Sequence, residues 1–77
     1  MNQQIIFNND FDYCPQKQAV RFSCLVSGLK VSCYIKVDTD HSAAALQQIK
    51  QDAFIWEDRV ELAIDADEIN SDGEIWL

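Results

Sequence analysis

Residues 19–37 read Ala19-Val20-Arg21-Phe22-Ser23-Cys24-Leu25-Val26-Ser27-Gly28-Leu29-Lys30-Val31-Ser32-Cys33-Tyr34-Ile35-Lys36-Val37. Apolar residues recur every second position on both sides of Ser27-Gly28. Strict alternation about a two-residue link containing Gly is the signature of a β-hairpin with a primed turn. That turn sets the register: Val26 opposite Leu29, Cys24 opposite Val31, Phe22 opposite Cys33 and Val20 opposite Ile35. Each inward apolar side chain then meets another, as strand pairing requires when one face is buried. The other face carries Arg21, Ser23, Leu25, Lys30, Ser32, Tyr34 and Lys36. It reads as mostly solvated.

Upstream, Gln4 to Phe7 is a short β-prone run. Asn8-Asn9-Asp10 opens a loop that continues through Cys14-Pro15, because Asn, Asp and X-Pro favour turns. Downstream, Asp38-Thr39-Asp40-His41-Ser42 breaks the strand and offers several helix N-caps. From about Ala43 to Asp67 the period becomes helical. Ala45, Leu46, Ile49, Ala53, Trp56, Val60, Ala63 and Ile64 share an arc of about 100°, the stripe of a core-facing helix. No Gly or Pro interrupts it, although residues 41–51 can also be read as a short helix of their own. Asn70-Ser71-Asp72-Gly73 is a turn, and Glu74 to Leu77 a last short strand. The expectation is one α+β domain over residues 1–77. An antiparallel sheet of three to four strands, built round the hairpin, packs on one long amphipathic helix in the order β-β-β-α-β.

Composition narrows the functional classes. Apolar residues are 48% of the 77, and Gly plus Pro number only three, which suits a packed core rather than disorder. No apolar run approaches the ~20 residues of a membrane span. The start of the chain shows no basic and apolar secretory pattern, so the expected location is the cytoplasm. Three cysteines without Cys-x-x-Cys favour free thiols. Residues 1–50 hold five bases and four acids, whereas residues 51–77 hold nine acids and one base, Arg59, a net −8. That C-terminal part repels nucleic acid and anionic lipid and attracts basic partners.

The pattern resembles a bacterial family of small proteins catalogued as domain of unknown function 1488. The similar features are Ile6-Phe7, Ala19-Val20-x-Phe22, Val26-x-Gly28, Val31-x-Cys33-x-Ile35, a helix with Ile49, Trp56-Glu57, Val60 and Ile64, and a Gly73 turn into an apolar end. Nearly the whole chain is covered. Family helices often carry Arg where Ala53 aligns, and Trp56 replaces a smaller aliphatic residue, so no role of that Arg carries over. The resemblance implies a compact bacterial α+β domain and no activity.

Chemical motifs are sparse. Asp38-x-Asp40-His41 puts carboxylates beside the one imidazole, but a lasting metal site needs more ligands at fixed geometry, and a capping loop explains the same residues. Asp65 to Glu74 imitates a calcium loop and fails at its fifth and sixth positions, Ile69 and Asn70. Cys24 and Cys33 point into the core as inert thiols, while Cys14, before Pro15, is the accessible one. No phosphate loop, Gly-x-Ser-x-Gly or His-Glu-x-x-His is present. No catalytic, metal or cofactor site and no small-molecule substrate is therefore indicated, and an enzyme is not the expected reading.

The unabsorbed feature is on the helix. Ile55 and Leu62 lie seven apart and 120–140° from the core stripe, with Phe54 beyond the polar face. Either the sheet wraps round to bury them or they form an interface. The leading expectation is a non-enzymatic protein-interaction or regulatory module, self-associating as a homodimer. Its contact residues are Ile55 and Leu62, with Phe54, Leu25 and Tyr34 as further candidates, and Asp58, Glu61 and Asp65 complement a basic partner. The alternative is a nucleic-acid-associated factor using the hairpin's Arg21, Lys30, Tyr34 and Lys36. The acidic helix and the single aromatic disfavour it.

Overall fold

The structure, a computed structural model, describes residues 4–37 and 39–77. The strands are β1 (Ile5–Phe7), β2 (Asp12–Cys14), β3 (Ala19–Val26), β4 (Leu29–Lys36) and β5 (Glu74–Trp76). A 3-10 turn, Thr39–His41, leads into α1 (Ser42–Gln51), which α2 (Ala53–Asp65) follows. The β3–β4 hairpin has the register that the alternation requires, Val26 with Leu29 through Val20 with Ile35. Both turn residues have positive φ, +52° at Ser27 and +88° at Gly28, as a type I′ link demands.

The sheet corrects the sequence-based expectation in two ways. It has five strands, not three or four, and it is mixed, not purely antiparallel. β1 and β2 both pair with β3, end to end: Ile5 to Phe7 lie opposite Val26 to Cys24, and Asp12 to Cys14 lie opposite Arg21 to Ala19. The residues that read as one loop therefore contain a strand. Its three-residue length gives too little alternation to recognise. β5 pairs with β4 in parallel, because the chain returns through two helices rather than a tight turn.

The single long helix is also corrected. Asp52 (φ −98°, ψ 24°) separates α1 from α2, and its N–H is shared between the Gln48 and Ile49 carbonyls. The Gln48 amide donates to the Asp52 carboxylate at 2.9 Å. Of the candidate N-cap residues, Asp38 lies outside the described residues.

The helices cover one sheet face. Phe22, Val20, Cys24, Cys33 and Ile75 are almost fully buried there, and Val60, Ala63, Ile64 and Ile49 close over them. Leu46 and Trp56 pack at the margin. Phe11, from the loop before β2, stacks on Phe22 with ring centroids 4.8 Å apart. α2 ends in a Schellman motif: the Glu68 N–H reaches the Ala63 carbonyl at 2.9 Å and the Asp67 N–H the Ile64 carbonyl at 3.0 Å. Asp67 takes the left-handed conformation (φ +58°) that Gly usually fills, and it does so at a helix end where a carboxylate is electrostatically unfavourable.

Gly28 has open space where a Cβ would stand, so any substitution there is resisted by backbone conformation and not by a clash. Gly28→Val is expected to lower stability by about 1–3 kcal/mol. Urea denaturation of both proteins checks it; an unshifted midpoint would contradict the turn assignment.

Candidate functional site

Two surfaces gather the side chains of interest: the outer sheet face and the exposed side of α2. The outer face is less solvated than its sequence suggests. Ala19 is fully buried, Ser23 is 3% exposed and Tyr34 4% exposed. Asp10, in the loop between β1 and β2, explains Ser23. Its carboxylate accepts the Ser23 N–H at 2.8 Å and the Ser23 hydroxyl at 2.6 Å, and the Asn8 amide donates to the same hydroxyl at 2.9 Å. The carboxylate stands where a continuous edge strand would have supplied a carbonyl. β1 and β2 are thus one edge interrupted by a polar plug. Partial burial raises the Asp10 pKa, but the Ser23 hydrogen bonds and the Lys30 charge outweigh it and hold the carboxyl below its ordinary value.

Asp10 and Asp12 share a polar cleft of about 340 Å³ with Arg21, Lys30 and the hydroxyls of Ser23 and Ser32. Arg21 lies 3.8 Å from Asp12. Tyr34 is covered: its ring stacks on Trp76 at 4.7 Å, and the Lys17 ammonium sits 5.1 Å from the Tyr34 centroid. Lys17 also pairs with Glu74 at 3.4 Å, which ties β5 to the turn before β3. As a candidate contact or base-stacking residue Tyr34 is therefore corrected: it is buried beneath Trp76. Leu25 is half-buried beside Ile6, and Lys36 is exposed.

Cys14 is corrected as well. It belongs to β2 rather than a loop and is 6% exposed, its thiol directed to the Gln16 side-chain oxygen. Cys24 and Cys33 are wholly buried and all three are free. Contact with Cys24, together with burial, pushes the Cys33 thiol far above the ordinary range. Asp40 and His41 sit on the exposed 3-10 turn before α1. Among the described residues no group of three or more His, Cys, Asp or Glu is arranged to hold a metal ion. Asn70 organises the late acidic turn, its side-chain oxygen accepting the Asp72 and Glu74 N–H groups at 2.9 Å each.

α2 presents its apolar outliers to solvent. Leu62 is 68% exposed, Ile55 57% and Phe54 82%, so the sheet does not wrap round them. Ile55 and Leu62 lie within about 20° of each other round the axis, two turns apart, and Phe54 lies about 100° away. The Leu62 side continues into a groove of about 700 Å³. Leu62, Ala63 and Ala66 form its helix wall and Trp76 and Leu77 its sheet wall, with Arg59 and Glu68 as its charged members. The Arg59 guanidinium lies 5.2 Å from the Trp56 ring. Asp58, Glu61 and Asp65 are exposed on the opposite flank of the strip. Glu57 reports their field: burial first, and then the charges of Glu61 and Asp58, push its carboxyl above its ordinary value. Sequence periodicity found Ile55 and Leu62. It missed Ala66, at the end of α2, and Trp76 and Leu77, which join the groove through β5 at the sheet edge. No helix among the described residues is long and apolar enough to cross a membrane.

Asp10→Ala removes the acceptor of the buried Ser23 N–H and of its hydroxyl proton and is expected to cost about 1–3 kcal/mol at pH 7. Because the folded-state pKa of Asp10 is depressed, its contribution is complete above the unfolded value of about 4 and is lost as pH falls through the folded one. The stability gap between wild type and variant, measured by urea denaturation, should narrow below about pH 4. The native thiols should react slowly with an aromatic disulfide reagent, and all three should react at once on unfolding without reductant.

A family model described as protein of unknown function (DUF1488) matches residues 5–77. Among solved structures, the crystal structure of a protein of unknown function from that family, from Shewanella loihica PV-4, is similar with a TM-score of 0.79. The two are 26% identical, over 100% of this chain and 94% of that one. No curated protein matches. With the match running from β1 to the last residue and the same fold in a solved member, the chain belongs to the DUF1488 family.

Proposed function

We propose that this domain is a non-enzymatic protein-interaction or regulatory module that makes its contact through the outer strip of α2 and the groove beside β5. The observation that carries the reading is the exposure of Ile55 and Leu62 in one row that runs into an apolar groove. Scattered exposed hydrophobes are ordinary. A row continuous with a groove is what a partner covers, since removing apolar area from water returns about 25 cal/mol per Å².

Two occupants fit such a strip, a second copy and a segment of another protein. Self-association, which the sequence suggests, sets two segments of net charge −8 against each other, and would strengthen as salt screens that repulsion. The outer hairpin face supports a nucleic-acid contact less well, because Asp10 and Asp12 stand among its cations and Tyr34 is covered.

A photo-crosslinking residue at position 62 or 55, in the native host, should give a discrete adduct, and one at exposed position 36 should not. An adduct of twice the chain mass means a second copy; any other mass means another protein. Leu62→Lys should remove the adduct formed from position 55. It should shift stability by no more than about 0.5 kcal/mol, as befits an exposed site away from special features. No adduct from either position sinks the proposal.

A further inference from the structure

We infer that the α2 strip and its groove bind a basic amphipathic helix of another protein. The inference rests on the reading of this face as a contact surface and names its occupant. Three observations carry it. First, Ile55 and Leu62 stand two helical turns apart, about 10.5 Å along the axis, which is the span over which an opposing helix offers residues at i and i+7. The groove walled by Leu62, Ala66, Trp76 and Leu77 runs beside that row and accommodates the apolar edge of such a helix.

Second, acidic side chains flank the strip, and among the described residues none of them is ion-paired. Asp58, Glu61 and Asp65 line the flank away from the groove, and Glu68 lies at the groove itself. The Lys17–Glu74 and Arg21–Asp12 ion pairs use none of them. Arg59, the lone base of residues 51–77, is held over Trp56. Side chains next to the strip lie within a Debye length of anything seated on it, about 8 Å at physiological salt, so their attraction for Lys and Arg survives there.

Third, the same charge opposes the other occupants. A second copy brings a further −8 to the contact, and nucleic acid and anionic lipid carry the same sign. A helix with an apolar stripe and Lys or Arg on its flanks satisfies both the strip and its rim.

The test uses the whole domain, labelled with ¹⁵N, and a synthetic helical peptide with Leu at i, i+4 and i+7 and Lys or Arg elsewhere. Shift changes are expected at Ile55, Leu62, Ala66 and Leu77 and not at Lys30 or Lys36. Two control peptides are needed, one with the same stripe but Glu in place of the bases, and one of the same charge with the stripe shuffled. Each should bind at least about tenfold more weakly, a difference of about 1.4 kcal/mol. Asp58→Asn/Glu61→Gln/Asp65→Asn, checked for its fold by circular dichroism, should weaken binding by a similar factor, and Leu62→Lys should abolish it. Equal binding by either control, or shifts centred on the hairpin's outer face, overturns the inference. So does a position-62 adduct whose partner is a second copy or whose crosslinked segment is not basic, and the contact surface itself then stands. Absence of both adduct and peptide binding removes the contact surface as well.

Discussion

The β3–β4 hairpin has one face made wholly of apolar side chains, and the rest of the molecule follows from covering it. Val20, Phe22, Cys24 and Val26 on one strand and Val31, Cys33 and Ile35 on the other present a continuous surface to be withdrawn from water. The segment after the hairpin does most of this. Its apolar stripe supplies Ile49, Val60, Ala63 and Ile64, and Phe11 folds in from the other end of the chain. β3 is the hub of this arrangement, pairing with β1, β2 and β4.

That same demand shapes the exposed surface. The chain breaks at Asp52, and α2 sits with Val60 and Ala63 inward. Facing Val60 inward turns Leu62 and Ile55 outward. They are as apolar as the residues that reach the core, and they are exposed because they lie on the side of α2 turned away from the sheet. The returning chain then adds β5 in parallel at that margin, and Trp76 and Leu77 complete a groove that neither α2 nor β5 forms alone.

The acids at the C-terminal end of α2 do not serve helix stability. Asp65 and Asp67 stand at the negative end of the α2 dipole, and Asp67 occupies a left-handed position where Gly is unstrained. The late turn is held by Asn70 through N–H groups, not by its carboxylates, although Glu74 is engaged by Lys17, Asn70 and the Trp76 indole. Local structure thus explains Glu74 and leaves Asp58, Glu61 and Asp65 as a charged flank to the apolar strip.

The hairpin, its register, its inward cysteines and the outward Ile55 and Leu62 were legible in the sequence because each depends on spacing alone. A period of two or of 3.6 assigns every side chain to a face without knowledge of the partner element. The break at Asp52 was only half legible, since no Gly or Pro marks it and it shows only in the Asp52 backbone and the sharing of its N–H. Strand β2, the plug that Asp10 makes on Ser23, the covering of Tyr34 by Trp76 and the groove beside β5 were not legible. Each joins residues distant in the chain through hydrogen bonds or ring contacts, and three-residue strands carry too short a pattern to announce themselves. What tertiary structure alone decided is therefore the sheet's edges, and the candidate contact surface lies at one of them.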